Sequence, residues 1–235
     1  MNIDELLRDP LASPPPFNPI WDEDVDKTDG GEFRIYHTPD GDYPSVTSVL
    51  GYGEDHSWLD DWRARIGAEK ADEISERSRD RGSAMHDLLE RAVRRESLAC
   101  PDGESIIMAR ALASRVWPRV GEYLGVEAAL WSNRLRVAGR TDGIVTWDGR
   151  PAILDYKNAR RVKKRDDVHG YFLQATIYAM MLFERTGLRC QDIVVAIACA
   201  EADLGKVVVF EEKTADWIDP ALNKIRSFWS ARDVI

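Results

Sequence analysis

The spacing of apolar and polar positions changes period several times along the chain. From about Ser57 to Arg95, Ile74, Arg81, Met85, Leu88, Leu89 and Val93 recur at intervals of three and four. That spacing predicts helix, and Gly67 marks the place where two helices meet. A further helix is expected from about Gly103 to Leu124. The middle of the chain then turns β-rich, with "VEAALWSN", "LRVAGRTDGIVTW" and "PAILDYKNA" separated by turn residues. A helix from about Asp167 to Arg185, the strands "DIVVAIACA" and "KVVVFEE", and a closing helix from Ala215 to Ala231 complete the series. Ahead of all these, "EFRIYHT" alternates as a short strand and "PDGD" supplies a turn. "YPSVTSVL" runs into a short helix that Ser45 or Thr47 can cap. The order predicts one α/β domain over residues 31–235, with a central mixed β-sheet flanked by helices.

Residues 1–30 show no period. "SPPPF" and "WDEDVDKTDGG" are rich in Pro, Asp and Gly, so an acidic, Pro-rich tail is expected, extended or disordered, with Trp21 available to dock on the body. The 235 residues, 44% hydrophobic with eight tryptophans, suffice for one sizeable core. No apolar run approaches the ~18 residues of a membrane-spanning helix, and the start "MNIDELLRDP" is acidic where a secretory signal is basic. A soluble, cytoplasmic protein without a membrane partner is the expectation.

Cys100, Cys190 and Cys199 are far apart and odd in number, and His37, His56, His86 and His169 include no pair at metal-ligand spacing. Zinc sites, disulfide frameworks and a four-cysteine iron–sulfur cluster are therefore not expected. The net charge of −9 argues against a nucleic-acid partner until its distribution is considered. Residues 1–30 hold eight acidic and two basic side chains, whereas "RRVKKR", Arg160 to Arg165, holds five cations in six positions. Such a run is commonly a solvated loop, but this one directly follows "ILDYKNA".

Asp148-Gly149 is a two-residue hairpin signal. With that turn, Trp147 pairs with Arg150, and Asp142 falls opposite Asp155 on the neighbouring strand. Alternation then sets Lys157 on the face of Asp155. A turn displaced by one residue would leave the aspartates unopposed. Two adjacent carboxylates repel, and a hard divalent cation such as Mg²⁺ or Mn²⁺ between them would remove the repulsion. A lysine beside such a centre suits hydrolysis of a phosphodiester, although Asp-x-Lys alone is a weak pattern. Glu127, opening the preceding strand, would add a carboxylate. His86 and Glu90 share a helix face after Gly82, which permits close backbone approach, and Gln174 and Tyr178 are likewise four apart.

The order "RGSAMHDLLE", Glu127, "AGRTDGI", "ILDYKNA", "QATIY" resembles the PD-(D/E)xK nuclease superfamily, most nearly its RecB-type exonuclease branch. "YPSVTSVL" with "WLDDWRARIG" is similar to the opening of phage exonucleases and of the mitochondrial genome maintenance exonuclease. The resemblance implies a restriction-endonuclease-like core and a Mg²⁺- or Mn²⁺-dependent DNA exonuclease acting in recombination, replication or repair. His86, Asp142, Asp155 and the Tyr156 carbonyl would hold one or two ions. Asp142, Asp155, Lys157 and Glu127 would be catalytic, and Glu90, Gln174 and Tyr178 supporting. Thr141 stands where the family name has proline. Arg140, Arg160, Arg161, Lys163, Lys164 and Arg165 would hold the DNA backbone, and a single-strand annealing or replication protein is a conceivable partner. Two other functions fit the same residues: a structure-specific endonuclease, or a non-catalytic DNA- or partner-binding protein on a nuclease fold.

Overall fold

Local chemistry sets the boundaries of each element in the computed structural model, which describes residues 9–55, 57–98 and 103–232. The opening of the acidic tail (residues 1–8), His56 and Cys100 lie outside the described residues. A small antiparallel sheet comes first, from β1 (Asp26–Thr28), β2 (Ile35–Thr38) and β3 (Gly41–Pro44). Ser45 then caps helix α1 (Val46–Gly51), its hydroxyl accepting from the Ser48 N–H at 3.0 Å. Helices α2 (Ser57–Ile66) and α3 (Ala68–Arg94) meet at Gly67, as the glycine predicts. Arg95, in left-handed conformation, ends α3, and the Glu96 N–H closes back on the Arg91 carbonyl at 2.8 Å.

Helix α4 (Gly103–Val116) is shorter than expected. Pro118 stops it: a single 3-10 turn, Trp117–Arg119, follows, and residues 120–124 begin strand β4 (Val120–Ser132) instead of extending the helix. The remaining elements are β5 (Val137–Trp147), β6 (Arg150–Ala159), α5 (His169–Thr186), β7 (Asp192–Cys199), β8 (Val207–Lys213) and α6 (Thr214–Ser230). Strands β4 to β8 form one five-stranded sheet in chain order, antiparallel except for β6 and β7, which run parallel through the α5 crossover. The sheet is thus mixed and flanked by helices, as the sequence predicts.

Alternation along the strands separates two cores. Ile144, Ile153 and Val195 pack with Phe172, Ile177 and Phe228 of α5 and α6. Val145, Leu154 and Val194 pack with Met85, Leu88, Met108 and Leu112 of α3 and α4. Every residue of the interior strand β7 is buried, which explains its apolar composition from Ile193 to Cys199.

The hairpin register is the predicted one. Trp147 pairs with Arg150, and the ladder runs to Gly143 opposite Leu154. It stops there, one pair short of Asp142 and Asp155. Beyond that point β5 continues against β4, and β6 continues against β7 as far as Ala159 and Cys199. The sheet therefore forks where the two aspartates stand.

After a single 3-10 turn, Pro10–Ala12, residues 14–28 cross the body in largely extended form. Leu11 is buried, Phe17 bridges to Tyr123, and Trp21 donates from Nε1 to the Ala129 carbonyl at 2.8 Å while its ring meets Trp131. The approach to β4 requires Gly125, where a β-carbon would fall 2.4 Å from the Trp21 carbonyl oxygen and 2.8 Å from Ile144 Cδ1. Gly125→Ala is accordingly expected to destabilise the fold by about 1–3 kcal/mol. Urea unfolding checks this, and an unchanged midpoint would show that the segment detaches freely.

Candidate metal centre

Asp142, the first residue of β5 beyond the ladder, turns its carboxylate into the fork. Its Oδ2 accepts from the backbone N–H of Tyr156 at 2.6 Å. This bond replaces the direct side-by-side pairing of Asp142 with Asp155 that an unbroken ladder would have given. Glu127 lies in the interior of β4 rather than at its start, because the strand begins at Val120. Val126 pairs with Gly143 and Ala128 with Thr141, so Glu127 stands across from Asp142. Its φ of +46° is a left-handed value that a side chain disfavours. The strand reverses its facing at this kink: Val126 joins the core under α3 and α4, whereas Ala128 joins the core under α5.

Helix α3 delivers His86 to the same place. Gly82, one turn earlier, allows the helix to sit on β6, since a β-carbon there would come 2.2 Å from Asn158 Nδ2. Asn158 also meets Ser78 on both its oxygen and its nitrogen at 3.4 Å. His86 Nδ1 lies 3.4 Å from Glu127 Oε1 and 3.4 Å from Asp142 Oδ1. One ligand atom from each of His86, Glu127 and Asp142 lies within 4.8 Å of the others. Burial by itself favours a neutral imidazole, but the facing carboxylates of Asp142 and Glu127 outweigh it and raise the His86 pKa to about 10. Burial also works against ionisation of Asp142, and His86 and Lys157 overcome it, holding that pKa below the usual range.

Asp155 stands beside this trio and faces a cation. It is only 1% exposed, and Lys157 Nζ donates to its Oδ1 at 2.6 Å. Nζ is equally close to Oδ2, so the ammonium sits against both carboxylate oxygens. Burial pushes the Asp155 pKa up to about 6, with Asp142 adding repulsion and Lys157 opposing the rise. For Lys157, burial is outweighed by Asp155 and Asp142, so its pKa rises and the ammonium keeps its charge.

This donor set suits a hard divalent cation. Two carboxylates and an imidazole converge at the fork, and Asp155 stands near enough beside them to feel the charge of Asp142, so a cation there would relieve the repulsion among the acids. Carboxylate predominance favours Mg²⁺ or Mn²⁺ over zinc.

Other predicted residues fall at varied distances from the trio. Glu90 lines the small cavity beside His86, Glu127 and Asp142; burial raises its pKa, and Arg94 Nε donates to it at 3.0 Å. Gln174 Nε2 donates to the Tyr178 hydroxyl at 3.0 Å. That pair lines a separate polar pocket with Tyr36, Ser45 and Arg140, and the Tyr178 ring packs against Gly139. The side chain of Tyr156 points into the α3 side, where its hydroxyl meets Tyr123 at 2.8 Å and Trp117 Nε1 at 3.2 Å.

The expected DNA-binding cations divide. Arg140 donates to the Glu127 carbonyl at 3.0 Å and pairs with Asp24, an internal arrangement that does not fit a free phosphate contact. Arg160 pairs with Glu201 at 2.6 Å and Arg165 with Glu212 at 2.7 Å. Arg161, Lys163 and Lys164 form no ion pair among the described residues and remain on the loop between β6 and α5. Tyr171, which no motif singled out, places its ring 5.3 Å from Lys157 Nζ. Its spacing of three from Gln174 on the same helix was the available signal.

With this geometry in place, comparison with known proteins adds a family. A model of the PD-(D/E)XK nuclease superfamily matches residues 61–227. No curated protein matches the chain. Among solved structures, one described as "Crystal structure of SSO0001" is similar over 38% of this chain and 41% of that chain, with 17% identity and a TM-score of 0.26. This chain therefore spans less than half the length of that relative. No helix among the described residues is long and apolar enough to cross a membrane.

Proposed function

Since the chain belongs to the PD-(D/E)XK nuclease superfamily, we propose that it is a Mg²⁺- or Mn²⁺-dependent deoxyribonuclease that digests DNA from its ends. The observation that carries this reading is the convergence of His86, Glu127 and Asp142 beside the buried Asp155–Lys157 pair at the fork of the sheet. His86, Glu127, Asp142 and Asp155, with the Tyr156 carbonyl on the same strand, would hold the cation. When bound, a divalent ion supplies an acidified water and compensates charge on the phosphoryl oxygens.

The chain's own groups do the rest. The Tyr156 N–H fixes the rotamer of Asp142. Lys157 is held charged by its two aspartates, so its part is to stabilise negative charge developing at phosphorus rather than to remove a proton. Tyr171 covers one side of the ammonium and limits its solvation. Arg161, Lys163 and Lys164, uncommitted to internal pairs, would hold the DNA backbone with an affinity that falls as salt rises. Glu90, Gln174 and Tyr178 would shape the surroundings of the centre.

Digestion from ends, in place of internal cutting, is supported by the order of motifs from His86 to Tyr178, which resembles the RecB-type exonuclease branch and points to recombination, replication or repair. A linear end-labelled strand is expected to be degraded in Mg²⁺, and a closed circular single strand to remain intact in the same reaction. Nicking of the circle would replace the exonuclease reading with a structure-specific endonuclease.

A further inference from the structure

Glu127 reaches the metal centre from a backbone conformation that its own side chain disfavours, so something outside the centre must hold it. Two arginines grip the main chain at this kink. Arg94 Nη2 donates to the Val126 carbonyl at 3.1 Å, and Arg140 Nη1 donates to the Glu127 carbonyl at 3.0 Å. Each arginine is held in turn by an acid of the N-terminal segment. Asp22 takes Arg94 in a two-pronged pair at 2.8 and 2.9 Å, and Asp24 takes Arg140. Between these two acids, the Glu23 carbonyl accepts from the Ala129 N–H at 2.8 Å, which keeps the segment in step with β4. Two neighbouring carbonyls are thus fixed by two forked cations, and both cations by one stretch of three residues.

We propose that Asp22 and Asp24 are positioning residues for the metal centre, acting through Arg94 and Arg140 on the backbone that presents Glu127. This inference rests on the metal-dependent reading above. It assigns the acidic segment a role inside the site's architecture. An acidic strap that merely competes with DNA phosphates would have the opposite consequence on removal, namely tighter DNA binding with metal binding unaltered. Outer partners of metal ligands commonly govern affinity by about 10–100-fold, because they set the orientation of groups that touch the ion.

The test uses the full-length protein and Mn²⁺ alone, titrated calorimetrically in the absence of DNA. Asp22→Asn/Asp24→Asn is compared with Glu23→Gln/Asp26→Asn, which removes the same charge from side chains that do not touch the arginines. The first pair of substitutions is expected to weaken Mn²⁺ binding about tenfold and to lower kcat without raising the KM for DNA. The second is expected to bind Mn²⁺ as the unsubstituted protein does. Arg140→Lys keeps the charge but loses the fork that spans Asp24 and the Glu127 carbonyl, so it is expected to weaken Mn²⁺ binding as well. Unfolding of the double variant would be visible by circular dichroism. Asp24→Asn alone then carries the test, since that side chain is 74% exposed. Equal Mn²⁺ affinity in the folded Asp22/Asp24 variants and the unsubstituted protein overturns the proposal while leaving the metal-dependent reading intact. Failure of the unsubstituted protein to bind Mn²⁺ overturns both.

Discussion

Asp142→Asn is expected to lower the DNA-hydrolysis rate by about 10³-fold, on the order of 4 kcal/mol of transition-state stabilisation, and to weaken Mn²⁺ binding in the same protein. Asp142 is the residue on which the fork converges: it lies 3.4 Å from His86, stands across from Glu127, and takes the Tyr156 N–H at 2.6 Å. Asparagine preserves the shape and leaves an oxygen for the Tyr156 bond, so the backbone of the fork stays in place. What it removes is a negative charge among groups arranged around charge, and with it one anionic ligand of a hard cation. Loss of both metal binding and turnover, with a native circular dichroism spectrum, is the expected pattern. Retention of full Mn²⁺ affinity would move the metal site away from Asp142.

Lys157→Ala should separate those two properties. The ammonium lies 2.6 Å from Asp155, whose buried carboxylate forms no other ion pair among the described residues. Removing it leaves Asp155 free to take a divalent ion, so Mn²⁺ should bind at least as tightly as before. The rate should nonetheless fall by about 10²–10³-fold, the range for loss of one preorganised group that stabilises developing charge. Calorimetry and single-turnover kinetics on the same preparation check both parts. Weaker Mn²⁺ binding together with loss of fold would show that Lys157 serves the structure of the strand, whereas an unchanged rate would remove it from the mechanism.

Much of this site was legible in the sequence because short-range rules fix it. Asp148-Gly149 determined the hairpin turn, and the turn determined the register that brings Asp142 and Asp155 to the same level. Strand alternation gave the contact between Lys157 and Asp155, and the helical period with Gly82 gave the face that carries His86. The end of the ladder at Gly143 was not legible, since it depends on β5 following β4 while β6 follows β7, a competition among three separate strands. Nor was the kink at Glu127, because left-handed backbone at a glutamate has no local residue signal. The internal use of Arg140 was hidden for a related reason: its partner Asp24 lies more than a hundred positions away, in a segment with no period. Pro118, by contrast, was present in the sequence as the physical reason that α4 ends at Val116, and the apolar spacing beyond it masked the break.

The central claim is that this fork hydrolyses DNA with a divalent ion. The most direct measurement is a time course on end-labelled linear DNA, run with Mg²⁺ and with Mg²⁺ plus excess EDTA. Progressive shortening that requires free Mg²⁺ is the predicted result. Intact DNA in both Mg²⁺ and Mn²⁺, from protein that is folded and binds the metal, would contradict it.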